Sequence, residues 1–259
     1  MKVVIFAGGL GTRLMEETEA RPKPMVEIGG KPILWHIMKM YEKYGYNDFV
    51  LCLGYKAQFI KQYFLNYFLY NSDVTIEMEK NKVDVHFSNS ESFKVTLVDT
   101  GLYTNTAGRL KKIRKYLDGE RFMLTYGDGV SNVNIDALLA FHIKAGKLAT
   151  LTSVKIPGRF GNLDTNEAGT VLHFEEKPDG DGLWINGGFF VLEDKIFDYL
   201  EGDMENVQWE KEPLTQIARD GQLAAYRHED FWKCMDALRD RIELEEMWNS
   251  GEAKWKTWE

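Results

Sequence analysis

Residues 2–7 carry an apolar run, Val3-Val4-Ile5-Phe6-Ala7, that stops abruptly at a pair of glycines. Such a run, without polar alternation, predicts a strand buried on both faces, as in a parallel sheet covered by helices. Pro32 then opens a stretch in which Ile33, Leu34, Ile37, Met38 and Tyr41 recur at helical spacing, and Gly45 closes it. Residues 49–53 form a second apolar strand. After it, Phe59, Tyr63 and Tyr67 share one helical ridge, with Ile60, Phe64 and Phe68 beside them. Strand, helix, strand, helix predicts an α/β fold: a mixed, mainly parallel sheet with helices on both faces.

The pattern changes in the middle of the chain. Val74, Ile76 and Met78 alternate with polar residues, as do Val83, Val85 and Phe87, and then Phe93, Val95 and Leu97. Turn-like segments at Lys80-Asn81 and at 89–92 separate these runs, which predicts an antiparallel meander over 73–99. The α/β rhythm returns with a helix at 109–117, a strand at 122–126 and a helix at 135–145. Strands are expected at 149–156, 170–176 and 184–192, with helices near 194–200, 211–219 and 237–249. No repeat, low-complexity tract or linker interrupts the sequence. One domain over 1–259 is expected, with the meander and a C-terminal helical part at 229–259 as additions.

Composition narrows the partners more than the fold. Acidic residues outnumber basic ones, 40 to 32, for a formal net charge of -8, a poor match to a nucleic-acid backbone. Cys52 and Cys234 lie in apolar sequence without a second Cys or His at metal spacing, so both read as buried reduced thiols. The N-terminal apolar run is too short for a secretory signal, and no segment approaches the ~20 apolar residues that span a bilayer. A cytoplasmic protein without a membrane partner is expected.

Candidate chemistry begins where the first strand ends, at Gly8-Gly9-Leu10-Gly11-Thr12-Arg13. Glycines let successive amides converge on phosphate oxygens, and a guanidinium offers a planar fork to the same anion. A tight strand-to-helix turn explains the glycines equally well. The dinucleotide fingerprint fits only in part, since Arg13 stands where its third glycine belongs, and no Lys-Ser or Lys-Thr follows to make a P-loop. Lys23 sits between Pro22 and Pro24, on a segment expected to be stiff and extended, where a fixed cation could serve a reaction that builds negative charge. Gly127-Asp128-Gly129 ends the 122–126 strand, which puts a carboxylate in the crevice where α/β folds bind ligands. It could hold a hard cation such as Mg²⁺, or simply make a turn. Asp236 could be a second metal carboxylate, but on the residues alone a helix N-cap is the preferred reading.

Other segments are weaker. Glu175-Glu176-Lys177-Pro178 and Asn186-Gly187-Gly188 could hold a sugar phosphate, or be a charged turn beside a strand bulge. Asp179-Gly180-Asp181 reads as an exposed turn. The cluster Arg109, Lys111, Lys112, Arg114 and Lys115 reads mostly as a solvated helix face, with Arg109 able to turn inward. The aromatic stripe from Phe59 to Tyr70 reads as core or subunit interface.

Taken together, Phe6-Ala7-Gly8-Gly9-Leu10-Gly11-Thr12-Arg13-Leu14, Lys23-Pro24-Met25, Gly127-Asp128-Gly129, Glu176-Lys177-Pro178 and Asn186-Gly187-Gly188 resemble, in order, the motifs of the sugar nucleotidyltransferase family. The resemblance is strongest to its cytidylyl branch, through residues 29–40, 97–101 and 183–192 and the ending Trp255-Lys256-Thr257-Trp258-Glu259. It implies a Rossmann-like core, a hexameric homo-oligomer and the reaction of CTP with glucose 1-phosphate to give CDP-glucose and pyrophosphate, a step toward deoxysugars of bacterial surface polysaccharides such as O-antigen. It carries nucleotide contacts onto Phe6, Ala7, Gly8, Gly9, Leu10, Gly11, Thr12, Arg13, Lys23, Arg109 and, by spacing alone, Thr104. It places Mg²⁺ on Asp128 and Asp236, against the cap reading of the latter. It gives the sugar phosphate to Glu176 and Lys177, with Asn186 and Gly187 beside them, and catalysis to Arg13, Lys23 and Asp128. The expected mechanism is an in-line displacement by an already anionic phosphate, needing position and charge neutralisation rather than a general base. The alternatives are the same chemistry with UTP or dTTP and another sugar 1-phosphate, and a non-catalytic regulatory subunit that binds nucleotide sugars.

Overall fold

The structure is a computed structural model that describes residues 1–11, 14, 18, 20–88, 91–155, 162–165, 170–175 and 184–258. Eight strands form its main sheet: β1 (Val3–Ala7), β2 (Asp48–Leu53), β3 (Lys94–Asp99), β4 (Phe122–Tyr126), β5 (Ala149–Lys155), β6 (Trp184–Asn186), β7 (Phe190–Leu192) and β8 (Leu223–His228). Among the described residues, six α-helices accompany it: α1 (Ile33–Glu42), α2 (Ala57–Tyr70), α3 (Thr106–Ile113), α4 (Ile135–Ala145), α5 (Glu212–Arg219) and α6 (Leu238–Asn249). The order β7-β4-β1-β2-β3 runs to one edge, parallel from β4 onward. The antiparallel β7 joins this half to β5, which pairs in parallel with β8.

The unbroken apolar run of β1 has its physical reason in the two faces. Val3, Ile5 and Ala7 pack into a cluster with α1, α6 and Trp255, while Val4 and Phe6 pack into another with α3, Phe190 and Trp209. Alternate side chains leave a strand on opposite sides, so a central strand with helices on both needs apolar residues everywhere. Burying each of the larger of these, Val3, Val4, Ile5 and Phe6, contributes about 1.5–3 kcal/mol.

Three expectations need correction. The 73–99 segment is not a three-stranded meander. Ser72–Glu77 and Lys82–Ser88 pair as a separate antiparallel hairpin, whereas β3 joins the main sheet in parallel beside β2. The alternation in β3 comes from its edge position: Val98 is buried in one cluster, and Val95 and Leu97 are only partly buried against the other. The strand expected at 184–192 is broken by Gly187-Gly188-Phe189 into β6 and β7, with Gly188 and Phe189 at φ of 77° and 47°. Of the two readings of the α2 stripe, the core one holds only in part: Ile60 is fully buried and Tyr63 and Phe64 pack against the core, while Leu65 and Tyr70 stand exposed. Among the described residues, no helix is long and apolar enough to cross a membrane.

Candidate active site

The carboxyl ends of β1 and β4 and the segment that follows β3 open onto a cleft of about 340 Å³. Phe6, Ala7, Gly8, Gly9 and Gly11 line it from the β1 side, Lys23 and Pro24 from the following segment, and Gly127 and Asp128 from beyond β4. Thr104, Arg109 and Asp236 complete the wall, so segments far apart in sequence converge here. Leu10 is exposed and does not line the cleft, and Thr12 and Arg13 lie outside the described residues.

The glycines differ in what they do. A Cβ on Gly8 would stand 2.2 Å from an Arg109 guanidinium nitrogen, and one on Gly127 2.7 Å from the Phe6 carbonyl. Gly11 has φ of 67°, a conformation disfavoured for side-chain-bearing residues. Gly9 has open space where its Cβ would be, so no neighbouring protein atom demands a glycine there.

Lys23 is held differently from the expectation. Pro22 is extended, but Lys23–Met25 forms a single 3₁₀ turn, closed by Met25 N–H to Pro22 O at 2.7 Å and Val26 N–H to Lys23 O at 3.1 Å. Pro24 fits inside that turn because its fixed φ is close to the 3₁₀ value. The ammonium bridges two carboxylates, 2.7 Å from Asp128 Oδ2 and 2.7 Å from Asp236 Oδ1. Burial works against its charge, but the Asp128 carboxylate and the hydrogen bonds to both acids outweigh it, leaving Lys23 above the ordinary lysine range.

A short ladder brings the two acids together. Gly129–Ser131 pairs antiparallel with Trp232–Cys234, with Gly129 opposite Cys234, and Met235 N–H donates to Asp128 O at 2.8 Å. Asp236 does not cap α6. Asp240 reaches back instead, accepting from the backbone N–H of Asp236 at 2.9 Å and of Ala237 at 2.8 Å, which leaves the Asp236 side chain to face Lys23. Cys234 sits beside the same acids, its thiol pushed up by burial and then by the Asp128 charge. Asp128, Asp236 and Cys234 each offer a ligand atom within 4.8 Å of the others. The two hard carboxylate oxygens fit Mg²⁺, and a cationic ammonium already sits between them.

The far side of the cleft is built around Arg109. Its guanidinium donates to Gly8 O at 2.9 Å, Leu53 O at 2.9 Å and Thr100 Oγ1 at 2.7 Å, so the buried cation ties the ends of β1, β2 and β3 together. Thr104 and Thr106 flank it, the Thr104 hydroxyl within reach of both Thr100 O and Glu205, and the Thr106 hydroxyl donating to Glu210 at 2.8 Å. Tyr126 OH donates to Glu210 at 2.9 Å and receives Asn186 Nδ2 at 3.3 Å, which places Asn186 next to the cleft rather than in its lining. Gly187 is structural: a Cβ there would meet Val154 at 2.8 Å, and its carbonyl accepts Trp232 Nε1 at 2.7 Å. Glu176 and Lys177 lie outside the described residues. Sequence reasoning missed Tyr126, Glu205, Glu210 and the placement of Cys234 beside the acids. Only Cys234-Met235-Asp236 carried a local signal.

The chain is similar to known proteins over nearly its whole length. The family model described as "Nucleotidyl transferase" matches residues 2–248. The chain is 56% identical over 260 aligned positions, covering both proteins fully, to a glucose-1-phosphate cytidylyltransferase of Salmonella typhi. It is 32% identical to the mannose-1-phosphate guanylyltransferase catalytic subunit beta of Dictyostelium discoideum, covering 93% of this chain and 62% of that one. The crystal structure of HddC from Yersinia pseudotuberculosis shares the fold with a TM-score of 0.70 at 24% identity, covering 95% of this chain and 99% of that chain.

Proposed function

The chain belongs to the nucleotidyl transferase family, and on that premise we propose that it transfers the cytidylyl group of CTP to glucose 1-phosphate, releasing pyrophosphate and forming CDP-glucose. The observation that carries the chemistry is Lys23 bridging Asp128 and Asp236 at the mouth of the glycine loop. The attacking phosphate is already an anion, so no residue has to remove a proton. What the protein must do is hold two repelling anions in line and neutralise charge at the α-phosphorus.

In this reading, the amides of Gly8, Gly9 and Gly11 cradle the triphosphate, and Gly9 leaves room for close approach. Asp128 and Asp236 would hold Mg²⁺, which when bound supplies charge neutralisation between the α-phosphate and the leaving pyrophosphate. Lys23, drawn toward the phosphates as they arrive, stabilises the departing charge, with Arg13 in the same role by its place in the motif. The base lies at the Thr104–Arg109 end of the cleft, and the sugar phosphate lies toward Tyr126 and Asn186, with Glu176 and Lys177 assigned to it by their place in the motif.

Pyrophosphate release with CTP, UTP, dTTP and GTP, each against glucose 1-phosphate with Mg²⁺, tests the proposal. CTP-selective release supports it. Selective release with UTP or dTTP moves the same chemistry to another nucleotide, and no release with any sugar 1-phosphate leaves a regulatory, ligand-binding protein.

A further inference from the structure

Asp236 stands where an aspartate ordinarily turns onto its own backbone. It lies two residues before α6, and the first turn of a helix leaves backbone N–H groups without partners inside the helix. An aspartate just ahead of such a turn readily accepts those protons in an Asx turn or a cap. Here the Asp236 carboxylate goes to Lys23 instead, 2.7 Å away. The backbone beneath it is held by another acid. Asp240 Oδ2 accepts from the N–H of Asp236 at 2.9 Å and from the N–H of Ala237 at 2.8 Å, which uses that oxygen twice. Ala237 is extended, with φ of -131° and ψ of 167°, and has no side-chain acceptor of its own.

Asp240 is itself well placed to hold that backbone. Its own N–H donates to Ala237 O at 3.0 Å, closing the first turn of α6. Its other oxygen, Oδ1, lies 3.8 Å from Lys233 Nζ, and Lys233 also pairs with Glu243 one turn further along the helix. Lys233 belongs to the Trp232–Cys234 strand, so the ladder and the helix both bear on Asp240. On the other side of Asp236, the buried Met235 donates its N–H to Asp128 O at 2.8 Å. Asp236 is therefore pinned between two fixed points, one of them the backbone of its partner acid. Asp240 is not a further ligand, because the ligand atoms that gather at this end come from Asp128, Cys234 and Asp236.

We infer that Asp240 is a positioning residue for the metal end of the cleft. By accepting the N–H groups of residues 236 and 237, it aims the Asp236 carboxylate at the point that Asp236 shares with Asp128, and it does so without touching the cation. The inference rests on the proposal that these two acids hold a divalent ion. A small hard cation tolerates little misplacement of its oxygen ligands, so the aim of each carboxylate sets the affinity. Without the Asp240 acceptor, the peptide units at 236 and 237 are free to rotate. The Asp236 carboxylate then turns onto the donors of the first helical turn, the partner its place in the chain favours, and leaves the cleft.

The test is Mn²⁺ binding in the presence of CTP, with the protein-bound ion followed by electron paramagnetic resonance, in wild type, Asp240→Ala, Asp240→Asn and Asp128→Asn. Asp240→Ala should weaken Mn²⁺ binding about tenfold, the scale of losing a group that orients a metal ligand. The Mg²⁺ concentration that gives half-maximal pyrophosphate release should rise by the same factor. Asp240→Asn keeps an amide oxygen with two lone pairs for the same two N–H groups, and should bind Mn²⁺ within about twofold of wild type. An Asp240→Ala protein that melts lower yet binds Mn²⁺ like wild type overturns the inference and makes Asp240 a helix cap alone. Equal weakening in Asp240→Ala and Asp240→Asn also overturns it, because charge rather than the two hydrogen bonds would then be what counts. Wild-type binding that Asp128→Asn leaves unchanged, or its absence, overturns the metal assignment and the inference with it. The choice of CTP is judged separately, by the pyrophosphate assay above.

Discussion

The two ends of the cleft use similar residues in opposite ways. At one end Lys23, Asp128 and Asp236 form a partly exposed cluster whose members are held by each other and by short stretches of backbone. At the other, Arg109 is buried with four of its five donors directed at backbone carbonyls and one threonine, and Lys112 is committed to its own neighbours. A charge at the first end is available to be exchanged for a ligand, whereas a charge at the second is part of the frame. What separates them is not residue type but how much hydrogen-bonding capacity the fold has already consumed.

The sharpest way to break this contrast is to remove one charge from each end. Asp128→Asn keeps the side-chain shape and removes a charge that serves ligand and metal, so turnover should fall about a thousandfold, the scale of losing one group that stabilises developing charge. The melting temperature should barely move, because Lys23 keeps Asp236 as a partner. Near-normal turnover with Mg²⁺ present would remove Asp128 from the mechanism. Arg109→Met should do the reverse. It strips donors from Gly8 O, Leu53 O and Thr100 Oγ1 at once, and should cost about 3 kcal/mol of stability or more. Thermal unfolding without nucleotide should show a drop of roughly 10 °C at this chain length. An unchanged melting temperature with a large rise in KM for CTP would make Arg109 a ligand contact instead of a clamp.

The same contrast explains what the sequence revealed. The first strand, the glycine loop and Gly127-Asp128-Gly129 were legible because a doubly buried strand leaves a continuous apolar run and its end must carry small residues. Lys23 was legible as a stiff cation, though not as part of a 3₁₀ turn, since proline fits both an extended segment and that turn. Asp236 was not legible as a partner of Asp128. The ladder that joins them has three residues on each side, too short for any period to show, and an acid two residues before a helix looks like a cap. Glu205 and Lys112 were invisible for a different reason. Glu205 meets Thr104 and Lys112 across about a hundred positions of sequence, a contact that no local pattern signals. The edge strand at 94–99 was misassigned because partial exposure at a sheet edge produces the same alternation as a hairpin.

A third region packs against the helix that follows Asp236. His36, in α1, lies among the rings of Trp35, Trp248, Trp255 and Trp258, and is fully buried. Its Nε2 donates to Ile28 O at 2.8 Å, and its Nδ1 accepts from Trp255 Nε1 at 3.3 Å, so the imidazole is neutral in this packing. A proton on Nδ1 would face a second donor. Burial, more than the partly offsetting bond to Ile28 O, pulls the pKa down to about 4. Glu245 and Lys31 are the charged groups that act on it, with opposite effects. The consequence for stability follows from which state binds the proton. Below about pH 6.5 the unfolded chain protonates this histidine and the folded chain does not, so stability is full above 6.5 and falls as pH drops toward 4. Between pH 7.5 and 5.0 the loss from this group should be about 2 kcal/mol. Trp248 belongs to α6, which starts two residues after Asp236, so acid should slacken the support of the Asp236 end, while the Arg109 clamp, whose bonds run to backbone carbonyls and a threonine, stays as it is. Urea unfolding at the two pH values in wild type and His36→Gln checks it. The variant should be less stable at pH 7.5 but lose about 2 kcal/mol less on acidification, and equal losses in the two proteins would show that the histidine is not the group that titrates.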